Sequence, residues 1–432
     1  MASRNRRSKH SLLGATSFQI IVLLVPVLFG LMWFAVDLGR LYMIRAELKT
    51  AANSMALAAA GQLIGTDQAT TDATAAAARA RADVGGFANK YDFGGVLVGQ
   101  GTNNLASTVE DPQYFDTATD AIGTGDSGGG STSTGGSTAK VAKVTVTSDA
   151  PLLFFRWLAQ GVEGKTSISV DAVAGISAPL CTACGTQVVA VSAVDSTDDT
   201  DFGFTAATRY TFAYQCTVNN GQNGQAPQPL AGSSSRINYI LINRLNDAAD
   251  TFADESTQAF RAAAGGLPGS STEALACVSV NAVETIWATA LPPNCGQPMP
   301  AVVNATLCGL DVRLEGGVPT GCDAIADIST AANGYIPDTD TTDNDDYVSY
   351  AGNGRRVLTV AIVDSLSDTS AMTVLGFRQF LLQPQANAVN LNVTDLNARF
   401  AATYIGSPMP LKQGRFSGCS ITSGPGKVVL HR

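Results

Sequence analysis

Side chains suited to acid–base, redox or metal chemistry are few here, and their spacing is restrictive. The sequence holds two histidines, His10 ahead of the first apolar run and His431 at the far end. A Ser-His-Asp or Cys-His site in the body of the protein would therefore need His431 to fold back into it. The commonest zinc ligand is equally scarce, His-Glu-x-x-His does not occur, and the one Cys-x-x-Cys, Cys181 and Cys184, has no second copy to complete a zinc site. Lysines are few beyond the leader, so Ser-Lys catalysis is not expected. Gly-x-Ser-x-Gly does not occur in a strand–turn–helix context. No enzyme is expected from this inventory.

The cysteines and carboxylates remain. All eight cysteines, Cys181, Cys184, Cys216, Cys277, Cys295, Cys308, Cys322 and Cys419, follow residue 180. An even number in an oxidising compartment reads as a disulfide framework, with pairing expected between neighbours in sequence. A thioredoxin-type Cys-x-x-Cys opens a helix after a strand. Here Pro179 precedes it and Gly185 follows, which reads as a turn closed by a disulfide or by two separate bridges. The acidic stretch with Asp338, Asp340, Asp343, Asp345 and Asp346 has the oxygen density that Ca²⁺ takes. It fails the EF-hand pattern, because Asp343 stands where Gly is required and Ser349 where Glu is required. A solvated loop is the expectation, with an irregular calcium site at Asp338, Asp340, Asp343 and Asp345 as the alternative. Asp195, Asp198, Asp199 and Asp201 are weighed the same way. No other cofactor is indicated.

The element that places all of this is near the start. Ala15 to Val36 is apolar over 22 residues apart from Thr16, Ser17, Gln19 and the helix-compatible Pro26. As a helix it is about 33 Å long, enough to cross a hydrocarbon core of about 30 Å. Asp37 ends the run. Arg4, Arg6, Arg7 and Lys9 precede it with no acidic residue among them, which predicts a single-pass helix with its N-terminus in the cytoplasm and the rest outside. The run is too long for a signal-peptide core, and a helix follows it rather than a cleavage region. In that helix Leu41, Leu48 and Met55 recur every seven residues, with Leu38, Ile44, Ala51, Ala52, Ala58 and Ala59 between them. The formal charge is -9, and without the four leader cations 23 basic residues face 36 acidic ones. That balance argues against nucleic acid or an anionic membrane surface as partner.

Beyond the first helix the sequence predicts a second, Ala-rich helix from Thr66 to Val84, then turns at Gly85, Gly86, Gly94 and Gly95. The Gly/Ser stretch 123–138 reads as a flexible loop. Strands are predicted around Val141, Val144 and Val146 and from Lys165 to Ile176, with the apolar Pro151–Ala159 between them. After Pro179 come a strand at Thr186–Ala193, one or two helices from Arg236 to Gly265, loops carrying Cys295 and Cys308, and buried strands at Arg355–Val363 and Met372–Leu382. The mixed order predicts an α+β protein: a leader at 1–14, a membrane helix at 15–36, a helix plus small α+β domain at 37–178, and a cysteine-bearing extracytoplasmic α+β domain at 179–432.

The N-terminal segment also carries a family resemblance. Gly14 and Ala15, the apolar helix with Pro26, Asp37, Gly39 and Arg40, then Leu48, Ala51, Ala52 and Met55 to Ala60 resemble, in that order, the start of TadE/TadG-like proteins of the tight-adherence (Flp) pilus system. The xVTVT and SISVDAVA strands and the passage VLGFRQFLLQP are similar to that family's later segments. Two positions depart from it: Gln19 stands where cleaved pseudopilins carry Glu, and Asn53 where an Asp is usual. The Asp-x-Ser-x-Ser metal site of some TadG-like proteins is not matched at Asp364–Ser367. The resemblance implies prepilin-type processing between Gly14 and Ala15. It also implies a non-enzymatic minor pseudopilin or membrane-anchored assembly component in a bacterial inner membrane, with other pilus subunits or secretion machinery as partners. A membrane-tethered adhesion or ligand-binding protein, calcium-dependent or not, is the alternative.

Overall fold

The computed structural model describes residues 11–86, 107–123, 132–133, 135–152, 165–219, 224–242, 277–281, 283–284, 294–314, 337–343, 346–366, 372–384, 395–406 and 408–431. Cys322, Asp345 and most of the predicted helical stretch 236–265 lie outside them.

Helix α1 runs unbroken from Ser11 to Ala60, 50 residues or about 75 Å. Pro26 sits inside it, where a proline removes one backbone donor. The helix has two environments. From Phe18 to Val36 the large apolar side chains are exposed apart from half-buried Trp33, and this part is long and apolar enough to cross a membrane by length and composition. From Ile44 onward the stripe Ile44, Leu48, Ala51, Ala52, Met55, Ala56, Ala59 and Ala60 is buried. The spacing is that of one helix face, and the alanines let the backbone come close to what it covers.

What it covers is an antiparallel sheet. Strands β1 (Ser107–Val109), β2 (Gln113–Phe115), β3 (Val141–Pro151) and β4 (Lys165–Ile176) form it, with β3 and β4 in unbroken register from Val141↔Gly175 to Pro151↔Lys165. Val144, Val146, Val170, Ala172 and Ala174 supply its helix-facing side. The Ala-rich α2 (Ala69–Gly86) packs on α1 through Ala73 and Ala77. Gly85 and Gly86 therefore belong to a helix and not to the predicted turn. A short helix α3 (Ala118–Ile122) is capped by Thr117. The Gly/Ser stretch is docked where it is described: a side chain on Gly136 would strike the backbone oxygen of Asp67.

The larger body is a barrel. Strands β6 (Val189–Ser192), β7 (Arg209–Tyr214), β8 (Ser235–Leu241), β11 (Val357–Val363), β12 (Met372–Leu382) and β13 (Phe400–Tyr404) pair in the ring β12-β11-β6-β8-β7-β13, and β13 pairs back onto β12. Two of the pairings, β11 with β6 and β7 with β8, are parallel. The β12–β13 pairing at Phe380–Leu382 closes the ring. The predicted helix from Arg236 is corrected here, since Ser235–Leu241 is a strand. Ile237, Tyr239 and Leu241 face the barrel core while Ile240 packs outside it, a period of two that decides between the readings. The interior is aromatic: Phe212 stacks on Phe400 at 4.6 Å and meets Phe380 edge-on at 5.1 Å. Helix α4 (Ala301–Asp311) joins this core through Val302, Val303, Leu307 and Leu310. Cys308 is thus helical, not in a loop.

Strands β5 (Thr182–Cys184), β9 (Cys277–Ser279) and β14 (Gly414–Arg415) make a third, small sheet, and β10 (Val283–Glu284) pairs with β12. The last strand, β15 (Val428–Leu430), leaves the barrel and pairs antiparallel with β4 of the first sheet. A second join is made by Ile64 and Ala69, which share a buried cluster with Tyr347, Tyr350, Val357, Leu381 and Ile405. The Tyr347 hydroxyl donates to the Ile64 carbonyl at 2.8 Å, and the Asp67 amide to Val348 at 2.9 Å.

Candidate functional site

The residues that carry the sequence motif lie along α1, with Gly14 and Ala15 inside the helix. Gln19 and Pro26 are exposed in the apolar half. Asp37, which ends the apolar run, is buried, 4% exposed, between exposed Val36 and Leu38. Gly39 is exposed with nothing near the place of a missing Cβ. Arg40 is half-buried and one terminal nitrogen lacks a hydrogen-bond partner.

None of the three described bridges joins cysteines that are neighbours in sequence. Cys181 joins Cys419, Cys184 joins Cys277 and Cys216 joins Cys295, across separations of 238, 93 and 79 residues. Cys308 is also disulfide-bonded. Of the two readings of Cys-x-x-Cys, two separate bridges is the observed one. Each tethers the start of the barrel body to something remote: the C-terminal tail through Cys181, and strand β9 through Cys184. The tail returns to Cys181 and to β4, and no local spacing encodes that.

Asp338 and Asp340 of the acidic stretch form a buried clamp and are not part of a solvated loop. The Asp338 carboxylate is buried and accepts from the Tyr350 hydroxyl at 2.5 Å, the Arg356 amide at 2.9 Å and the Asp340 amide at 3.0 Å. Asp340 accepts from the Thr342 amide and hydroxyl and from the Ala351 amide, with the Arg356 guanidinium 3.8 Å away. Burial opposes its ionisation, but these donors and Arg356 together hold its carboxyl below the usual range. Asp343 turns away to a two-pronged ion pair with Arg209. The three carboxylates diverge onto separate protein donors. Among the described residues no group of three or more His, Cys, Asp or Glu side chains is placed to hold a metal ion. Desolvation drives the pKa values of Tyr347 and Tyr350 well up, with nearby Asp338 adding to both. Asp195 and Asp198 serve as turn caps, accepting from Thr197 and from Thr200, Asp201 and Gly203 respectively, and hydrogen bonds lower both carboxyls.

A cleft of about 350 Å³ lies where the first sheet, the barrel and the tail meet. Arg378 from β12 lies in its wall, 3% exposed. Its guanidinium lies 4.2 Å from the Phe202 ring centroid and donates to the carbonyls of Phe377, Thr200 and Ser423 and to the Ser423 hydroxyl. Burial lowers its pKa, against the pull of Tyr404 and of Asp201 and Asp198. The Tyr404 hydroxyl is bonded to Asp201 in the same wall. Desolvation, with Asp201, raises Tyr404 well above the ordinary tyrosine range. A Ser-x-x-Lys spacing, Ser137 to Lys140, lines the same cleft, but it falls in a turn and no hydrogen bond joins the two side chains. Composition hid the buried arginines Arg313, Arg356 and Arg378. For the last two the one available signal was a cation inside an apolar strand, as in RRVLTVAIV and VLGFRQFLL.

His431 does return to the fold, its amide donating to Val173, but it lies at the sheet edge and away from the clamp. The arrangement offers tethers, buried charge clamps and a cleft. Compared with known protein families, curated proteins and solved structures, the chain matches none.

Proposed function

We propose that this chain is a membrane-anchored, non-enzymatic component of a Tad/Flp-type pilus or its assembly machinery, of TadE/TadG-like kind, with the barrel body displayed outside the inner membrane. The observation that carries the reading is the division of α1. One continuous helix exposes an apolar membrane-length half and buries its other half on a small antiparallel sheet. Such a helix stores the protein in a bilayer and leaves its exposed face available to other helices. Disulfides fit an oxidising, extracytoplasmic compartment for the body. The leader charges give the N-in orientation.

The test is the intact mass of the native protein from its own membrane, without reduction. A chain starting at Ala15 supports a subunit that enters a filament despite Gln19. An unprocessed chain supports a permanent anchor with an assembly or attachment role. A cut after Val36 removes the pilin reading. A second reading, a tethered adhesion or ligand-binding protein, draws on the cleft around Arg378, and calcium dependence would belong to it.

A further inference from the structure

The outer edge of β4 is only partly used. Its inner edge is paired with β3 along its length, whereas β15 covers Ala174–Ile176 alone and the His431 amide reaches one residue further, to Val173. Backbone groups alternate in direction along a strand. Ser177 and Val173 bond outward to the tail and Ile176 inward to Lys140, so Asp171, Ser169 and Ser167 also point outward. Lys49 of α1 caps the outward carbonyl of Asp171 at 2.5 Å. From there toward Lys165, no strand among the described residues pairs with this edge. It borders a groove of about 430 Å³, with Leu41, Tyr42 and Arg45 of α1 on one side and Thr166 to Ser169 on the other. Tyr42 is exposed, and the exposed Arg45 guanidinium has no hydrogen-bond or ion-pair partner among the described residues.

We infer that this groove takes an extended segment of a second, different membrane-anchored chain, which adds antiparallel to β4 beside β15. A helix lying next to a free strand edge is the geometry of strand addition: main-chain bonds supply affinity, and alternate side chains drop into the groove. The edge already accepts one added strand, so its twist and spacing suit another. The occupant's side chains are set by the walls: apolar at alternate positions against Leu41, Tyr42 and Ile168, and acidic where it meets Arg45. The groove follows directly on the apolar run of α1, which places it beside the bilayer and makes an anchored partner the one within reach.

The test compares hydrogen–deuterium exchange of the full chain in its own membranes with that of the purified chain in lipid nanodiscs. The peptide covering 165–173 is expected to exchange at least about tenfold more slowly in the native membranes. Ser169→Pro removes one outward donor without removing a bond to β3, because that amide faces away from β3. In this variant the protection of Ser167 should vanish while β3 stays protected, and Arg45→Glu should reduce it with all donors in place. Equal exchange in both settings overturns the inference. Protection that survives Ser169→Pro overturns it too, since the cover would then not be a paired strand. Protection already present with the purified chain alone assigns the edge to a second copy and overturns the choice of a different chain.

Discussion

Removing the Cys181–Cys419 bridge tests the tethering role of the disulfides most directly. Cys181 stands at the entry to the barrel body and Cys419 in the tail, so the bridge closes 238 residues in the denatured chain. The chain-entropy relation puts the stabilisation of such a loop at about 5.5 kcal/mol at 25 °C. This is an upper figure, because the bridges that remain already shorten the denatured loop. The same relation gives about 4.5 kcal/mol for Cys216–Cys295, whose separation is 79 residues. Paired Cys→Ser variants in the full chain, unfolded by guanidinium in detergent micelles, should therefore both be destabilised by several kcal/mol, Cys181/Cys419 by about 1 kcal/mol more. Near-UV circular dichroism follows the loss of the aromatic barrel core. The tail should also become the first site of proteolysis in the Cys181/Cys419 variant, although β15 and β14 still pair. An equal or larger loss for Cys216/Cys295 would refute the entropic reasoning and place the effect in native packing around each bridge.

Leu48→Ala should lower the stability of the first body by about 2–5 kcal/mol, since Leu48 is wholly buried between α1 and its sheet. The same change at exposed Leu31 should leave thermal unfolding unmoved. Stability should fall as pH rises above about 10. Tyr347, Tyr350 and Tyr404 keep their protons in the fold while the unfolded chain loses them, each contributing a slope of up to about 1.4 kcal/mol per pH unit. Calorimetry between pH 8 and 11 would show it, with a shallower fall in Tyr404→Phe. Millimolar calcium should not shift the melting temperature, because Asp338, Asp340 and Asp343 are committed to protein donors. A rise of several degrees would restore a calcium site there.

Much of the architecture was legible without coordinates. The apolar run predicts the exposed half of α1, and the spacing of Ile44, Leu48, Ala51 and Met55 predicts the buried face. The strands 141–151, 165–176, 357–363 and 372–382 follow from β-branched runs and alternation. These are local properties, set by the periodicity of side chains along a short segment. Segment 236–241 failed for a local reason as well: apolar residues there fit both periods, and the barrel chose the strand by giving both of its faces something to cover.

What the chain order could not supply is which distant segments meet. Nothing near Cys181 points to Cys419, and nothing in Val428–Leu430 points to β4 across roughly 250 intervening residues. The role of the acidic stretch likewise depended on Tyr350, Arg356 and Arg209, which make Asp338 and Asp340 into buried anchors and Asp343 into an ion-paired one. Sequence determined most of the elements and the apolar run of α1, because helix and strand periods are written into neighbouring residues. Tertiary structure alone decided barrel closure, disulfide partners and buried ion pairs, because each depends on groups brought together only when the whole chain has paid its conformational entropy.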